Sequence, residues 1–166
     1  MMHHYTMCGL DYVYLSNGYH VHETDYGPGV SIEAADGLDR TIALAVITAD
    51  TRLSGQDVRF LRSLLKVSQT DIANGLGVKR LTVARWEGAP HTAIPGPADR
   101  MLRVRVAKEL FSLECVELVV ELAPEIAGRR ADKVLMTYRR AADEKEPLLL
   151  PEVRGEFEGW IMDEAA

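Results

Sequence analysis

The side chains with the clearest chemical role in this sequence lie between positions 68 and 88. Lys79, Arg80 and Arg85 are cations on one predicted helix, and cations of this kind neutralise phosphate groups. Arg also bonds the edge of guanine through two hydrogen bonds, while an apolar side chain such as Leu81 contacts the methyl group of thymine. These residue types in one short stretch favour a surface that binds double-stranded DNA.

Two short helices are predicted to position these side chains. Ser68 and Asp71 have the spacing of a capping pair, which indicates the start of a helix. A tight turn at Gly77 ends this helix, and a second helix is predicted from near position 79 to position 88. Helices that cross steeply need a small residue at their contact, and Ala73 provides it. The inner faces are expected to bury Ile72, Leu76, Val78, Val83 and Trp86.

This stretch resembles the helix-turn-helix of the phage-repressor and Cro class, also called the XRE family. The resemblance covers about Ser54 to Arg105, and it depends on Ala73, on Gly77 and on the closing Trp86-Glu87-Gly88. In that family one helix enters the major groove, and the start of the preceding helix contacts phosphate. The resemblance therefore implies that the DNA-binding residues are Gln69, Thr70, Lys79, Arg80, Leu81, Thr82 and Arg85.

The resemblance also implies a role for most of these residues. Arg80, Leu81 and Arg85 are the candidate base readers, Lys79 contacts a base or a phosphate, and residues 69–70 anchor phosphate. The chain departs from the family at one point. Family members often have a short polar residue at the cap of the reading helix, where this sequence has a lysine.

The net charge of −6 argues against a nucleic-acid partner only when it is averaged over the chain. Residues 1–52 carry 2 Lys/Arg and 7 Asp/Glu, residues 53–110 carry 10 and 5, and residues 111–166 carry 7 and 13. The middle segment is therefore basic, at +5, between two acidic ones. We expect DNA to be bound by the middle segment alone, with weak non-specific affinity.

The acidic first segment is predicted to be a small β-meander. Residues 12–15 and 19–22 are rich in β-formers, and Ser16-Asn17-Gly18 between them is a strong hairpin signal. A turn at residues 26–29 is expected to lead into a third strand at residues 30–32.

Further helices are predicted on both sides of the motif. Asp36 is the expected N-cap of a helix that ends near Thr48. A long helix is predicted from Pro97 to Pro124. Another helix is predicted from about Pro124 or Arg130 through Met136 and Tyr138 to Ala142. The arginines on the long helix are interpreted mainly as solvated charges; they are Arg100, Arg103 and Arg105.

The predicted fold class is α+β: a small N-terminal β-meander plus a helix, then an all-α helix-turn-helix domain and C-terminal helices. Residues 1–52 form the strand-rich segment with one helix. Residues 53–123 form the helix-turn-helix domain with its long fourth helix. Residues 124–166 form a helical segment with an acidic tail.

The layout of the whole chain is similar to that of regulators grouped with antitoxins of the MqsA type. The similarity rests on the Tyr5-Thr6-Met7-Cys8-Gly9-Leu10 start, the strand-rich piece, the helix-turn-helix and the Ile94-Pro95-Gly96-Pro97 segment. Those antitoxins bind zinc through paired Cys-x-x-Cys motifs in the N-terminal piece. Only Cys8 is present there in this chain, so we expect the zinc site to be absent.

Two functions therefore follow from the sequence. The first is a sequence-specific transcriptional regulator that reads an operator in double-stranded DNA as a homodimer. This regulator is expected to be a repressor. The dimer surface is expected in the helices after Pro97, assisted by the strands. The alternative is the antitoxin of a toxin-antitoxin pair, which would bind a cationic protein partner through its acidic N-terminal segment and regulate its own promoter.

Neither an enzyme nor a bound cofactor is expected. His20 and His22 share one strand face and could ligate a metal together with Cys8, but exposed strand histidines are the simpler interpretation. The sequence contains neither a catalytic pairing with motif context nor a Gly-rich phosphate loop. The longest apolar stretch is broken by glutamates, so no membrane association is expected. Two cysteines far apart favour a reducing cytoplasm.

Overall fold

The computed structural model describes residues 1–122, 134–138 and 160–162, and within them the fold is α+β. The helices are α1 (Ala35–Thr48), α2 (Gly55–Leu64), α3 (Gln69–Leu76), α4 (Arg80–Glu87), α5 (Gly96–Leu110) and α6 (Leu113–Leu122). The strands are β1 (His3–His4), β2 (Val13–Leu15), β3 (Tyr19–Thr24), β4 (Gly27–Ile32), β5 (Val134–Tyr138) and β6 (Trp160–Met162). The class predicted from the sequence is confirmed.

The larger sheet joins the two ends of the chain. Its strand order is β1-β2-β5-β6, and β2 pairs with β5 in parallel while the other two pairings are antiparallel. Leu15 of β2 and Met136 of β5 are paired and fully buried. Trp160 of β6 is buried, and its indole nitrogen donates to the carbonyl oxygen of Glu33, 2.8 Å away. The sheet therefore depends on strands that are more than a hundred residues apart in sequence.

The hairpin predicted at Ser16-Asn17-Gly18 is wrong. β2 pairs with β1 and β5, while β3 belongs to a separate two-stranded sheet with β4. Gly18 has a positive φ of 69°, but Asn17 does not, so the turn with two left-handed residues that would fold β2 back onto β3 is not formed. The chain turns here from one sheet into the other.

The second and third predicted strands do pair with each other. β3 and β4 form an antiparallel hairpin in which Tyr19 faces Ile32 and Thr24 faces Gly27. The turn is at Asp25 and Tyr26, earlier than predicted. Gly27, which was expected in the turn, starts β4 with a φ of 109°.

The N-cap predicted for α1 is also wrong. The helix begins at Ala35, and its N-cap is Ala34 in the left-handed region, so Asp36 lies in the first turn instead. Asp39, the partner expected for a capping box, accepts a hydrogen bond from the hydroxyl of Tyr5 at 3.1 Å. The predicted end of the helix at Thr48 is confirmed.

The long helix predicted from Pro97 to Pro124 is two helices. At Phe111 the backbone leaves the helical region, with φ −128° and ψ −138°. Arg40 of α1 donates to the carbonyl oxygen of Leu110 at 2.6 Å, which satisfies an acceptor that a continued helix would have used. The hydroxyl of Ser112 accepts from the backbone nitrogen of Cys115 at 3.4 Å, as an N-cap of α6 does.

The helix predicted through Met136 and Tyr138 is a strand where the structure describes it. Both residues belong to β5, which is completed by β2 on one side and β6 on the other. The rest of this predicted helix, residues 124–133 and 139–142, lies outside the described residues.

Arg103 is a buried structural residue, so its interpretation as a solvated charge is wrong. Its side chain is 0% exposed and pairs with Asp99 one turn earlier, at 2.6 Å. Its guanidinium also donates to the carbonyl oxygens of Ile47, Ala49 and Thr51. A buried arginine requires such partners, and here they fasten the end of α1 to α5. Arg100 is exposed, as predicted.

Candidate nucleic-acid interface

Two of the three helices in and beside the candidate interface, α2 and α3, start with a capping box. At α2, Ser54 and Asp57 cap each other's backbone, and at α3 Ser68 and Asp71 do the same. The Oδ2 atom of Asp71 lies 2.6 Å from the Ser68 hydroxyl and 3.0 Å from its backbone nitrogen. These hydrogen bonds hold the pKa of Asp71 below its usual value. The capping pair that was predicted at Ser68 is confirmed.

The turn between α3 and α4 depends on one glycine. Gly77 is the C-cap of α3, with φ 66° and ψ 30°, and its backbone nitrogen donates to the end of α3. Left-handed backbone of this kind favours glycine because it has no Cβ. α4 then begins at Arg80, with Lys79 as an N-cap that makes no side-chain capping bond. Lys79 remains exposed.

The inner faces of α3 and α4 meet as the sequence predicted. Ile72 and Val83 are fully buried and Ala73 is almost so, while Leu76, Val78 and Trp86 are half-buried against the same core. α4 also packs against the start of α2. A Cβ placed on Gly55 would lie 1.9 Å from the carbonyl oxygen of Trp86, so only glycine admits this approach.

The seven predicted DNA-binding residues lie at the start of α3 and along α4. Thr70, Lys79, Arg80, Leu81 and Arg85 are exposed, whereas Gln69 and Thr82 are half-buried. Leu81 leaves 55% of its surface in solvent, although an apolar residue gains free energy from burial. Two of these side chains are hydrogen-bonded to each other: Arg80 donates to the Oε1 atom of Gln69 at 3.0 Å.

A polar network links this contact to the rest of the motif. The amide nitrogen of Gln69 donates to Glu87 at 3.0 Å, and Glu87 accepts two hydrogen bonds from Arg62 of α2, at 2.6 and 3.1 Å. Because Glu87 can only accept, it takes the amide nitrogen of Gln69 and leaves the amide oxygen for Arg80. Three helices thus orient the Arg80 guanidinium.

Arg62 and Glu87 were not among the predicted site residues. Burial raises the pKa of Glu87, but the hydrogen bonds from Arg62 and Gln69 outweigh it, so the pKa lies below its ordinary value. The Arg62 side chain is 19% exposed and that of Glu87 is 8% exposed. Opposite charges that are buried together need each other as partners, but the burial of this pair arises only when α2 and the end of α4 meet.

Arg105 of α5 contacts α3 on the side away from Gln69. Its guanidinium donates to the carbonyl oxygen of Asp71 at 3.1 Å and to Glu109 at 2.7 Å. A Cβ on Gly75 would lie 2.6 Å from the same guanidinium, so the missing side chain gives Arg105 room to cross α3. Arg105 is therefore half-buried and partnered, and its interpretation as a solvated charge is wrong.

The N-terminal strands are joined to the motif through Asp57. This carboxylate is fully buried, and its two oxygens serve different regions. Oδ2 caps α2 through Ser54, whereas Oδ1 accepts the hydroxyl hydrogen bond of Tyr12 at 2.5 Å. Beside it, Gln56 exchanges two hydrogen bonds with Asp11. The start of α2 is therefore fixed to the residues that lead into β2.

Two of the three residues considered as metal ligands, Cys8 and His20, have other partners. The thiol of Cys8 contacts the carbonyl oxygen of Tyr5 at 3.8 Å, and burial raises its pKa to about 11. His20 pairs with Glu33 at 3.0 Å. Within residues 1–122, 134–138 and 160–162, no group of three or more His, Cys, Asp or Glu side chains is arranged to hold a metal ion.

No protein-family model, curated protein or solved structure matches this chain. Among the described residues, none of the helices is both long enough and apolar enough to cross a membrane.

Proposed function

We propose that this chain is a sequence-specific DNA-binding regulator of transcription, acting in the cytoplasm without enzymatic activity. The observation that carries the proposal is the charge distribution of the motif. Between residues 68 and 88 the carboxylates are Asp71, which caps α3, and Glu87, which Arg62 neutralises. The exposed cations Lys79, Arg80 and Arg85 therefore face solvent with no carboxylate of the motif competing for them.

The residue types on this face suit base reading. Arg80 and Arg85 each carry the planar donors that match guanine, and the exposed Leu81 beside them matches a thymine methyl group. Gln69 holds Arg80 in place before DNA arrives, which lowers the entropy that the side chain loses on binding. Thr70 at the start of α3 is exposed and is assigned to phosphate, together with Lys79.

A homodimer completes the proposal. One reading helix supplies few base contacts, and a two-fold axis doubles them over a pseudo-palindromic operator. Repression follows when such an operator overlaps a promoter.

The direct experiment is a mobility shift on the DNA upstream of the protein's own gene. Arg80→Ala and Arg85→Ala are each expected to weaken binding by about tenfold to a hundredfold and to relax sequence preference, since one bidentate contact contributes about 1–3 kcal/mol. Arg100→Ala is the matched control, because Arg100 is an exposed arginine on α5 outside the reading face. Unchanged affinity and preference in both α4 variants would remove the reading-helix assignment.

A salt titration tests the phosphate contacts separately. The logarithm of the binding constant should fall linearly with the logarithm of the salt concentration, and Lys79→Ala should make that slope shallower by about 1. Tight binding of every sequence at moderate salt would contradict the proposal, because the acidic flanks are expected to oppose non-specific binding.

A further inference from the structure

The β3–β4 hairpin has an amphipathic pattern with no core beneath its outer part. One face is mainly apolar and carries Tyr19, Val21, Pro28, Val30 and Ile32, with Glu23 at its outer end, and the other carries His20, His22, Thr24, Gly27, Gly29 and Ser31. Only Tyr19 and Ile32, at the base of the hairpin, pack against the core. Val21 is 61% exposed. A two-stranded ribbon is marginally stable in water, and three or more strands are needed for a stable sheet.

The two edges of this hairpin differ in their ability to accept another strand. Glu33 donates to the carbonyl oxygen of Gly18 at 2.9 Å, one register position below Tyr19 and Ile32. Hydrogen-bonded and non-hydrogen-bonded pairs alternate in an antiparallel ladder. Val21 and Glu23 of β3 therefore direct their backbone N–H and C=O groups away from β4.

The edge of β4 is blocked by a proline. Pro28 faces Glu23 at a non-hydrogen-bonded position, so its missing N–H costs the hairpin nothing. The same position removes a donor from the outer edge of β4. No such residue stands in β3, and within the described part of the chain β3 pairs only with β4.

We propose that the outer edge of β3 pairs with β3 of a second copy of this chain to form a four-stranded antiparallel sheet. Identical strands that pair in antiparallel fashion generate a two-fold axis. The register centred on Val21 places Val21 against its own copy and Glu23 against Tyr19. No carboxylate then faces another one, whereas parallel pairing would align the two Glu23 side chains.

The choice of a second copy as the occupant rests on the proposed function, because reading a palindromic operator requires a two-fold dimer. The sequence predicted a dimer surface in the helices after Pro97, assisted by the strands, whereas the surface proposed here lies in the strands alone. The new sheet has four strands, which is more than the three that a stable sheet needs. It also joins the faces that carry Val21 across the axis, with each Glu23 opposite Tyr19 of the other copy.

Sedimentation and light scattering of the full chain without DNA test the interface. The wild type is expected to sediment with twice the chain mass of 18.4 kDa. Val21→Pro should halve that mass, because proline removes the outward N–H of β3 while leaving the bonds to β4. Val30→Pro is the matched control: Val30 lies directly across from Val21, and its N–H points to the opposite edge.

A cross-linking variant covers the case in which proline disrupts the hairpin itself. Val21→Cys lies on the two-fold axis, where paired Cα atoms are about 5.5 Å apart, within the range of a disulfide. Mild oxidation should convert it to a covalent dimer, while Val30→Cys and the wild type stay as single chains. A monomeric wild type across micromolar to submillimolar concentrations overturns the interface, as does a dimer in which Val21→Cys does not cross-link. These measurements contain no DNA, so neither result bears on base reading by α4. That assignment is tested separately by the mobility shift.

Discussion

The helix-turn-helix unit and the four-stranded sheet are assembled over very different distances along the chain. In the helical unit, every contact that orients Arg80 comes from residues 62–87. In the sheet, β2 is completed by β5, which follows more than a hundred residues later. The candidate recognition surface is therefore built from residues that are close in the sequence, whereas the four-stranded sheet depends on both ends of the chain.

The largest expected effect tests the close packing of the local unit. Gly55→Ala places a methyl group 1.9 Å from the carbonyl oxygen of Trp86 and 2.6 Å from that of Ala89. These are backbone atoms, so α2 and α4 must separate, and we expect a loss of about 3 kcal/mol in the free energy of unfolding. Urea denaturation measures it.

Gly96→Ala is the control for this substitution. Gly96 is the first residue of α5, and a Cβ there would meet only the end of the Arg52 side chain at 3.5 Å, an ordinary contact. Its free energy of unfolding should stay close to that of the wild type. Equal losses in the two variants would mean that α2 and α4 are not packed as tightly as described.

The next effect tests the junction between the two regions. Tyr12→Phe removes the hydroxyl that donates to the buried carboxylate of Asp57. A hydrogen bond to a charged group contributes about 1.5–3 kcal/mol, and we expect a loss in that range. Tyr26→Phe serves as the control, because Tyr26 lies fully exposed in the β3–β4 turn. If Tyr12→Phe left the free energy of unfolding unchanged, this hydrogen bond would not stabilise the contact between the strands and α2.

A smaller effect tests the turn that separates α3 from α4. Gly77→Ala forces an alanine into the left-handed region, at a cost of about 1–2 kcal/mol. A Cβ at this position meets no atom within 4 Å, so strain alone is measured. Thermal unfolding reports it. If the variant were as stable as the wild type, the left-handed turn would not be required.

The smallest effect is a pH dependence of the polar network. Because the pKa of Glu87 is lowered on folding, the unfolded chain binds the proton more readily, and the pair stabilises the fold at pH values above the ordinary 4.5 of glutamate. This contribution is lost as the pH falls through the lowered pKa. Glu87→Gln should therefore flatten the acid side of the stability profile, measured by urea denaturation between pH 3 and 7. An unchanged slope would contradict the network.

Much of the helical unit could be predicted from the sequence because its signals are local. Ser68 with Asp71 predicted the start of α3, and Gly77 predicted its end. The hairpin at Asn17-Gly18 was predicted wrongly because a local turn signal carries no information about β5, the strand that takes the place of β3 beside β2. The break at Phe111 was missed because Ser112 was not recognised as an N-cap.

The candidate site shows the same division. The exposed residues of α4 could be named from residue type and spacing alone. Arg62 and Glu87 were missed because their role appears only when α2 and the end of α4 are brought together. The burial of Arg103 likewise depends on carbonyl groups at the end of α1, about fifty residues earlier in the chain.

Sequencing the genomic fragments that the purified protein retains tests the central claim most directly. The account predicts enrichment of an inverted repeat whose half-sites lie about 10–10.5 base pairs apart, or a multiple of that distance. Arg80→Ala should lose or alter that motif, while Arg100→Ala should recover it. Retention of fragments without any shared sequence, or the same motif in all three proteins, would contradict base reading by α4.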